Sequence, residues 1–501
     1  MISYDSRNKI IIVEPPFYRL YKSTYSLHCY PLSLGYLGGE IRKRTNWDVM
    51  TYNADFFPAP DTMKISYITG AGFDNYLHNL KDMSAQVWLD VEATIAEYGP
   101  AVVGISAKSQ NFTSALIVAK IAKKINKNII VVMGGPHPTF VGEELLDHPE
   151  IDIGVVGEGE NTVVELLNSM AKGDTLHGIP GILFRDNGVT IKNSSREYIA
   201  DLDSLCFPHE SAEEILKDYD NYPKTAFGNI FATRGCPYDC SFCGSRYLWS
   251  RKVRYRSPEN VVREIKSLQK IGLNHIRFDD DTFGVDRNYI FELCEALKIN
   301  CPGLTWSCEL HVKLITESNV AIMKSAGCIA IQVGIESGNN EILKKIRKNM
   351  TIEEALEACT IINKSGVKLS VFFIVGFPDE TEKSLQDTIC AIKKIKSYSV
   401  HYNIFTPYPG TETFDSCKKA GLIGENYDVS LYNHQSPENC FCTTIDRRRF
   451  RKIITELELS IDRKNMANRI KGWFSYDTCR TIARSGILNS IGRGFKVLRG
   501  R

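Results

Sequence analysis

Three cysteines, Cys236, Cys240 and Cys243, fall within eight residues of the stretch ATRGCPYDCSFCGSR (232–246). A structural zinc ion is closed by four protein ligands, and a simple electron-transfer 4Fe–4S cluster by four thiolates. No fourth cysteine is local, and Cys206 and Cys294 are too distant in sequence to be assigned. Three thiolates on a four-iron cluster leave one iron open to a substrate or cofactor. Zinc completed by His209 or another remote group, and three unrelated core thiols, are the plainer alternatives.

Other chemistry-bearing residues end short apolar runs. Asp279, Asp280 and Asp281 follow HIRF, Glu336 and Ser337 close AIQVGIES, and Gly376 follows LSVFFIV. In the first half of the chain such runs end in Ser106, in Gly134-Gly135-Pro136-His137-Pro138 and in Gly157-Glu158-Gly159-Glu160. Glycine lets a ligand approach the backbone, and Glu158 or Glu160 could accept hydrogen bonds from amides or hydroxyls. Tight strand-to-helix turns would account for the same glycines, and a solvated strand end or divalent-ion site for the aspartates. The Cys440-x-Cys442 pair could be redox-active or an ordinary pair of thiols.

The elements that position these groups form two alternating series. Residues 9–15, 47–54, 101–107, 129–135 and 151–160 read as strands separated by helical or loop segments, which predicts a doubly wound parallel sheet over residues 1–195. Ligands of such sheets sit beyond the carboxyl ends of the strands. The first strand leads into VEPPFYRLYK, so the dinucleotide fingerprint is absent. A linker over 196–224 precedes six further strand-like runs within 225–420, which predict a partial (β/α)6 barrel with its site at the strands' carboxyl ends. Ser257-Pro258 starts one intervening helix, with Val261, Ile265 and Leu268 on its apolar stripe, and Thr351-x-x-Glu354 is a capping box for another. A small C-terminal region, 421–501, completes the α/β chain.

Composition agrees with a core-forming, multi-domain protein: 501 residues, 43% hydrophobic and 24% charged. No run approaches the ~18 apolar residues of a membrane span, and the polar start MISYDSRNK is no signal peptide, so a cytoplasmic location is expected. The net charge is +2, yet residues 447–501 hold fifteen Lys/Arg against four Asp/Glu. The last residues place Leu488, Ile491, Phe495 and Leu498 at spacings of three and four, with Arg493, Lys496 and Arg499 off that stripe. Such a tail suits an anionic membrane surface, an anionic substrate, or packing on the barrel with its basic face solvated.

The C-x3-C-x2-C spacing, with Phe242 before the third cysteine, resembles the radical S-adenosylmethionine superfamily, and so do FDDDTF, GIESG and IVGFPDET. The resemblance implies that Cys236, Cys240 and Cys243 hold a 4Fe–4S cluster whose open iron binds S-adenosylmethionine, which is then cleaved to methionine and a 5′-deoxyadenosyl radical. It implies S-adenosylmethionine contacts at Phe242, Asp280 (favoured among 279–281), Glu336, Ser337 and Gly376. The order of a doubly wound domain followed by this barrel, with PLSLGYLGGEIRK, GIS, GGPHPT and GEGE, is similar to the cobalamin-binding radical enzymes, whose first domain is flavodoxin-like. The cobalamin candidates are then Ser106, Gly134, Gly135, His137, Glu158 and Gly159. The D-x-H-x-x-G motif that supplies a lower cobalt ligand in many cobalamin proteins is absent, which implies cobalt without a histidine ligand.

The function this implies is methyl transfer to an unactivated carbon, or phosphorus, centre. Cyclisation, oxidation or rearrangement with the same cofactors is the alternative enzyme reading, and a non-catalytic cobalamin and iron–sulfur carrier the alternative of another class. A methylthiotransferase would need an additional amino-terminal cysteine triad, and only Cys29 precedes Cys206. The expected partners are a small-molecule or lipid-like substrate, anionic in one reading of the tail, and an external electron donor of flavodoxin or ferredoxin type. No nucleic acid is expected.

Overall fold

The computed structural model describes residues 8–61, 63 and 65–473. The tail segment with Leu488, Ile491, Phe495 and Leu498 lies outside the described residues.

The first unit is a seven-stranded sheet: β1 Lys9–Glu14, β2 Asp48–Asn53, β3 Val102–Ser106, β4 Ile130–Gly134, β5 Ile153–Val155, β6 Ile182–Asp186 and β7 Val189–Lys192. Its order is β2-β1-β3-β4-β5-β6-β7. The first five strands are parallel, and β6 and β7 add antiparallel to β5. The apolar run of β1 is buried on both faces as its period-two geometry requires, Ile10 and Ile12 in one core cluster and Ile11 and Val13 in another. The order 2-1-3-4-5 reverses direction between β1 and β3, which places the ligand crevice of this sheet class at those two carboxyl ends. The β6–β7 hairpin extends the sheet beyond the five strands expected; its Asn187 and Gly188 both have positive φ, 49° and 81°, as a tight hairpin turn demands.

After the connection come β8 Asn229–Ile230, β9 Thr233–Arg234, β10 Arg254–Tyr255, β11 His275–Phe278, β12 Thr305–Leu310, β13 Cys328–Glu336, β14 Lys368–Val375 and β15 Ser399–Ile404. Six of them form a parallel sheet in the order β15-β14-β13-β12-β11-β8, while β9 and β10 pair as a separate antiparallel hairpin. This is the open (β/α)6 barrel. The helix Pro258–Lys270 starts where Ser257 accepts the Asn260 amide, and it buries Val261, Ile265 and Leu268. The capping box forms too: Thr351 accepts from the Glu354 amide, and the Glu354 carboxylate accepts from the Thr351 amide at 2.8 Å. A helix, Arg447–Trp473, buries Phe450, Ile453, Ile454, Leu457 and Ile461, and packs on β15 and on the helix Glu382–Lys394. At roughly 1.5–3 kcal/mol per buried aliphatic or aromatic side chain, that apolar face is enough to hold a basic helix on the barrel.

Candidate active site

All three cysteines lie in the loop between β9 and β10, residues 235–253. The hairpin closes because Arg254 pairs with Arg234 and Tyr255 with Thr233. Gly235 turns with φ +110°, and a Cβ there would stand 2.6 Å from the Lys252 carbonyl, so only glycine lets the two legs approach. The loop is tied down by Tyr238, whose ring stacks on His311 at 3.7 Å, and by the Ser241 amide, which donates to the Ile346 carbonyl at 3.0 Å. Burial pushes each thiol up to about 11, and each feels the charge of another: Cys236 that of Cys243, Cys240 that of Cys236, and Cys243 that of Cys240. Among the described residues, no three His, Cys, Asp or Glu side chains gather round a point that one metal ion could occupy.

The three aspartates have three different surroundings. Asp279 accepts from Arg277 Nε at 2.6 Å and from Asn229 Nδ2 at 2.7 Å. Asp280 is buried, and its two oxygens take the Ala232 amide and the Thr233 hydroxyl, each at 2.8 Å. Burial raises its carboxyl to about 7 against those hydrogen bonds. Asp281 is the member whose charge reaches Cys236 and Cys243. Asp280, the favoured candidate, thus joins β11 to the start of the cysteine hairpin, and Asp281 stands beside it as a second candidate.

At the end of β13, Glu336 adopts φ +66° and its Oε1 lies 2.6 Å from Lys348 Nζ. Lys348 is 11% exposed, and burial, which would lower its pKa, is overcome by Glu336 and by Cys240 and Cys243, so it stays charged beside the cysteine loop. Sequence reasoning missed this residue. Ser337 was expected to contact a ligand, but its hydroxyl is fully buried, 3.4 Å from Thr388 Oγ1, and it accepts from the Asn339 amide. It shapes the strand end rather than offering a free hydroxyl. Phe242 packs on Phe377 with centroids 5.7 Å apart. Gly376 has φ +93°, and a Cβ there would come 3.0 Å from Phe450, so glycine is required by the backbone and the C-terminal helix.

On the first sheet, Glu14 ends β1 and Lys108 follows β3, flanking the crevice; Lys108 Nζ donates to Glu14 Oε1 at 2.7 Å. Glu14 Oε2 is buried without a partner, although a buried carboxylate oxygen normally takes a donor. Lys108 keeps 47% of its side chain accessible. An orphan acceptor beside an accessible cation fits a large ligand rich in amide donors, as cobalamin is. Ser106 donates to Ser33 Oγ at 3.3 Å. Gly134 packs against Val155, Gly135 (φ +108°) against the Ala107 carbonyl, and Gly159 against Leu37. His137 shares a hydrogen bond of 3.0 Å with Ser109 through Nδ1 and lies on Phe112; burial lowers it to about 4, so it is a neutral packed ring.

Glu158, a cobalamin candidate from the sequence, is engaged by the protein's own donors. Its Oε1 accepts from Arg234 at 2.8 Å and Arg254 at 3.0 Å, its Oε2 from Arg254 at 2.8 Å and the Ile199 amide at 2.7 Å. Three donor groups, with one Arg254 nitrogen shared between the two oxygens, thus engage both sides of the carboxylate.

The two carboxyl-end surfaces meet. The Asn229 side-chain amide lies 3.5 Å from Cys29 Sγ, and the Cys29 thiol feels Asp279 and Arg277 from the barrel together with Lys108 and Glu14 from the first sheet. Burial raises Glu309, which feels Glu336 and Lys348 on one side and Arg277 and Asp279 on the other. Two ion pairs, Lys348–Glu336 beside the cysteine loop and Lys108–Glu14 at the β1–β3 crevice, thus flank the Asn229–Cys29 contact where the two units meet. His311, Tyr402 and Cys308 are used in packing: Tyr402 bonds to Glu458, and Cys308 is buried beside Cys328.

Comparison with known proteins agrees with this arrangement. The sequence model of the radical SAM superfamily matches residues 230–390, and that of the B12 binding domain matches residues 62–167. A Pyrococcus horikoshii protein named uncharacterized methyltransferase PH0819 is 32% identical over 409 residues, covering 81% of this chain and 82% of that relative. The anaerobic magnesium-protoporphyrin IX monomethyl ester cyclase of Rubrivivax gelatinosus is 28% identical over 363 residues, 69% of this chain and 63% of the cyclase. The fold is similar to that of the radical S-adenosylmethionine methyltransferase TsrM from Kitasatospora setae, solved with cobalamin and a [4Fe-4S] cluster bound: the TM-score is 0.66 at 17% identity, over 83% of this chain and 78% of TsrM. The chain belongs to the cobalamin-dependent radical S-adenosylmethionine enzymes, the family that works with a 4Fe–4S cluster, S-adenosylmethionine and cobalamin.

Proposed function

We propose that this protein is a methyltransferase that places a methyl group on an unactivated carbon centre. The observation that carries the reading is the contact of Asn229 at the barrel with Cys29 of the first unit, between the cysteine loop and the β1–β3 crevice, since methyl transfer of this kind needs both cofactor sites to face one substrate. Similarity to a relative named a methyltransferase, at 82% coverage of its length, supports it. The cofactors supply radical generation and the methyl carrier; this chain's residues bind, orient and exclude water.

In this reading Cys236, Cys240 and Cys243 hold the cluster. Asp281 receives the ammonium of S-adenosylmethionine, and Lys348 its carboxylate, each an opposite-charge partner beside the cysteines. Phe242 and Phe377 offer an aromatic wall. Ser106, Gly134, Glu14 and Lys108 border the cobalamin. Arg277, Asp279 and Cys29, at the junction, face the substrate, and the mixed charges there favour a polar substrate over a wholly apolar one. Cyclisation stays as the second reading because a cyclase is also among the relatives. We place the protein in the cytoplasm with a flavodoxin- or ferredoxin-type reductant, since a labile cluster and free thiols need a reducing compartment. No described helix is long and apolar enough to cross a membrane.

The experiment is anaerobic turnover with methyl-deuterated S-adenosylmethionine and polar candidate substrates, read by mass spectrometry. A product heavier by one labelled methyl group supports the proposal. An unmethylated, cyclised or desaturated product moves the function to the second reading.

A further inference from the structure

The base of the cysteine hairpin is pinned to the B12-binding unit by a buried network of four charges. Arg234 and Arg254 are cross-strand partners at the two ends of the loop that contains every candidate cluster ligand. Both reach Glu158 by the contacts given above, and Arg234 also donates to Glu160 at 2.6 Å. Glu158 and Glu160 flank Gly159 at the start of the helix Gly159–Lys172, which follows β5. Arg234 is 4% exposed, Arg254 8%, and Glu158 and Glu160 6% each. The Arg234 guanidinium lies between the rings of Tyr36 (5.0 Å) and Trp249 (5.2 Å), one from each unit. Burial alone would raise the Glu158 carboxyl, and its bonds to Arg254 and Arg234 more than reverse this.

We propose that Glu158 and Glu160 are positioning residues that lock the cysteine hairpin to the B12-binding unit, so that a ligand held at the first sheet's carboxyl ends steadies the cluster loop and the separation of the two cofactors is set at this joint. A slip of one unit against the other would break several charge-assisted hydrogen bonds at once and leave ions unpaired in a water-poor site. The joint resists sliding because it is bonded on both legs of the hairpin. The inference rests on the proposed roles of the three cysteines and of the β1–β3 crevice.

The test uses full-length, anaerobically reconstituted protein, the variants Glu158→Gln and Glu160→Gln, and hydroxocobalamin as the probe. Hydrogen exchange is followed across residues 233–255, and cobalamin affinity is measured by titration. Hydroxocobalamin is expected to slow exchange of the hairpin in the unsubstituted protein. In Glu158→Gln it should bind within about threefold of the original affinity and no longer protect the hairpin. Undiminished protection in Glu158→Gln overturns the lock. An affinity loss of about tenfold or more with hairpin exchange unaltered also overturns it, because Glu158 would then be a pocket contact. Should Glu158→Gln not fold, Glu160→Gln, which leaves the Glu158–Arg254 pair intact, must show a partial loss of protection; full protection there overturns the lock as well. If the unsubstituted protein binds no hydroxocobalamin, the functional reading fails, a result distinct from failure of the lock alone.

Discussion

Lys348 Nζ lies 2.6 Å from Glu336 Oε1, and the pair stands against the loop that carries Cys236, Cys240 and Cys243. The geometry is demanding. Arg347 and Asn349, on either side of the lysine, both adopt positive φ, 53° and 54°, and a Cβ on Gly334 would fall 2.5 Å from Glu336 Oε1. Two non-glycine residues held in left-handed conformations and a glycine with no room for a methyl group turn one lysine inward.

Replacing that lysine should therefore affect ligand binding and stability together. Lys348→Met leaves Glu336 buried without its cation, a loss of about 3–5 kcal/mol when one partner of a buried pair is removed. A charge-assisted contact of about 1.5–3 kcal/mol to S-adenosylmethionine would go with it, so affinity should fall roughly 10- to 100-fold. Lys348→Arg should keep most of both. Equilibrium dialysis with labelled S-adenosylmethionine checks this, and equal affinity in Lys348→Met would remove the lysine from the site.

The cysteine assignment separates the two cofactors. Changing Cys236, Cys240 and Cys243 together to alanine should abolish iron and sulfide in reconstituted protein while hydroxocobalamin still binds, because the β1–β3 crevice is built from the first sheet. Iron and sulfide analysis beside a cobalamin titration decides it. Four retained irons would mean that other ligands hold the cluster.

Glu380 makes a pH prediction. Its Oε2 accepts from the Gly376 and Phe377 amides, its Oε1 is buried without a partner, and burial raises the carboxyl to about 8. A carboxyl raised in the folded state binds a proton that the unfolded chain has released, so its contribution to stability is full below about pH 4.5 and is lost as pH rises towards 8. Glu380→Gln keeps an acceptor for both amides and cannot ionise. The thermal midpoint of Glu380→Gln relative to the unsubstituted protein should rise between pH 5 and about 8.5. Parallel curves would show that Glu380 does not titrate in that window.

Cys440 and Cys442 differ although one residue apart. The Cys440 thiol is lowered from its ordinary value by the neighbouring Cys442, while Cys442 is pushed well up. Cys440 should be alkylated faster than Cys442 at neutral pH, and Cys442→Ala should shift the pH dependence of its alkylation upwards, towards the ordinary thiol range of about 8.5. Peptide mass spectrometry after timed iodoacetamide pulses reads both.

The parts legible in the sequence were the local ones. Three cysteines in eight residues, apolar runs ending in glycine or acid, and the Thr351–Glu354 box all declare themselves within a short window. The β6–β7 hairpin carried an equally local signal, ILFR and VTIK around Asp-Asn-Gly, although only five strands were expected over 1–195. The helix with Phe450, Ile453, Ile454, Leu457 and Ile461 was hidden by its charge, although those spacings of three and four are a helical stripe. Glu158 was read as an acceptor for amides or hydroxyls; its arginine donors were not legible, because Arg234 and Arg254 lie 76 and 96 residues on and reach it only once the two units dock. Lys348 sits in KKIRKN, where nothing marks one lysine from its neighbours until the backbone turns it inward. Among Asp279, Asp280 and Asp281, only tertiary contacts give each carboxylate its own set of donors.

The central claim is that both cofactor sites serve one methyl transfer. Its most direct measurement is the pair of products formed from S-adenosylmethionine by reduced, cobalamin-loaded protein with substrate: 5′-deoxyadenosine and S-adenosylhomocysteine, quantified together by chromatography and mass spectrometry. The account expects both, in amounts that track the methylated product, with both lost in the triple cysteine variant when 5′-deoxyadenosine formation stops. Sustained turnover that releases 5′-deoxyadenosine with no S-adenosylhomocysteine would contradict it.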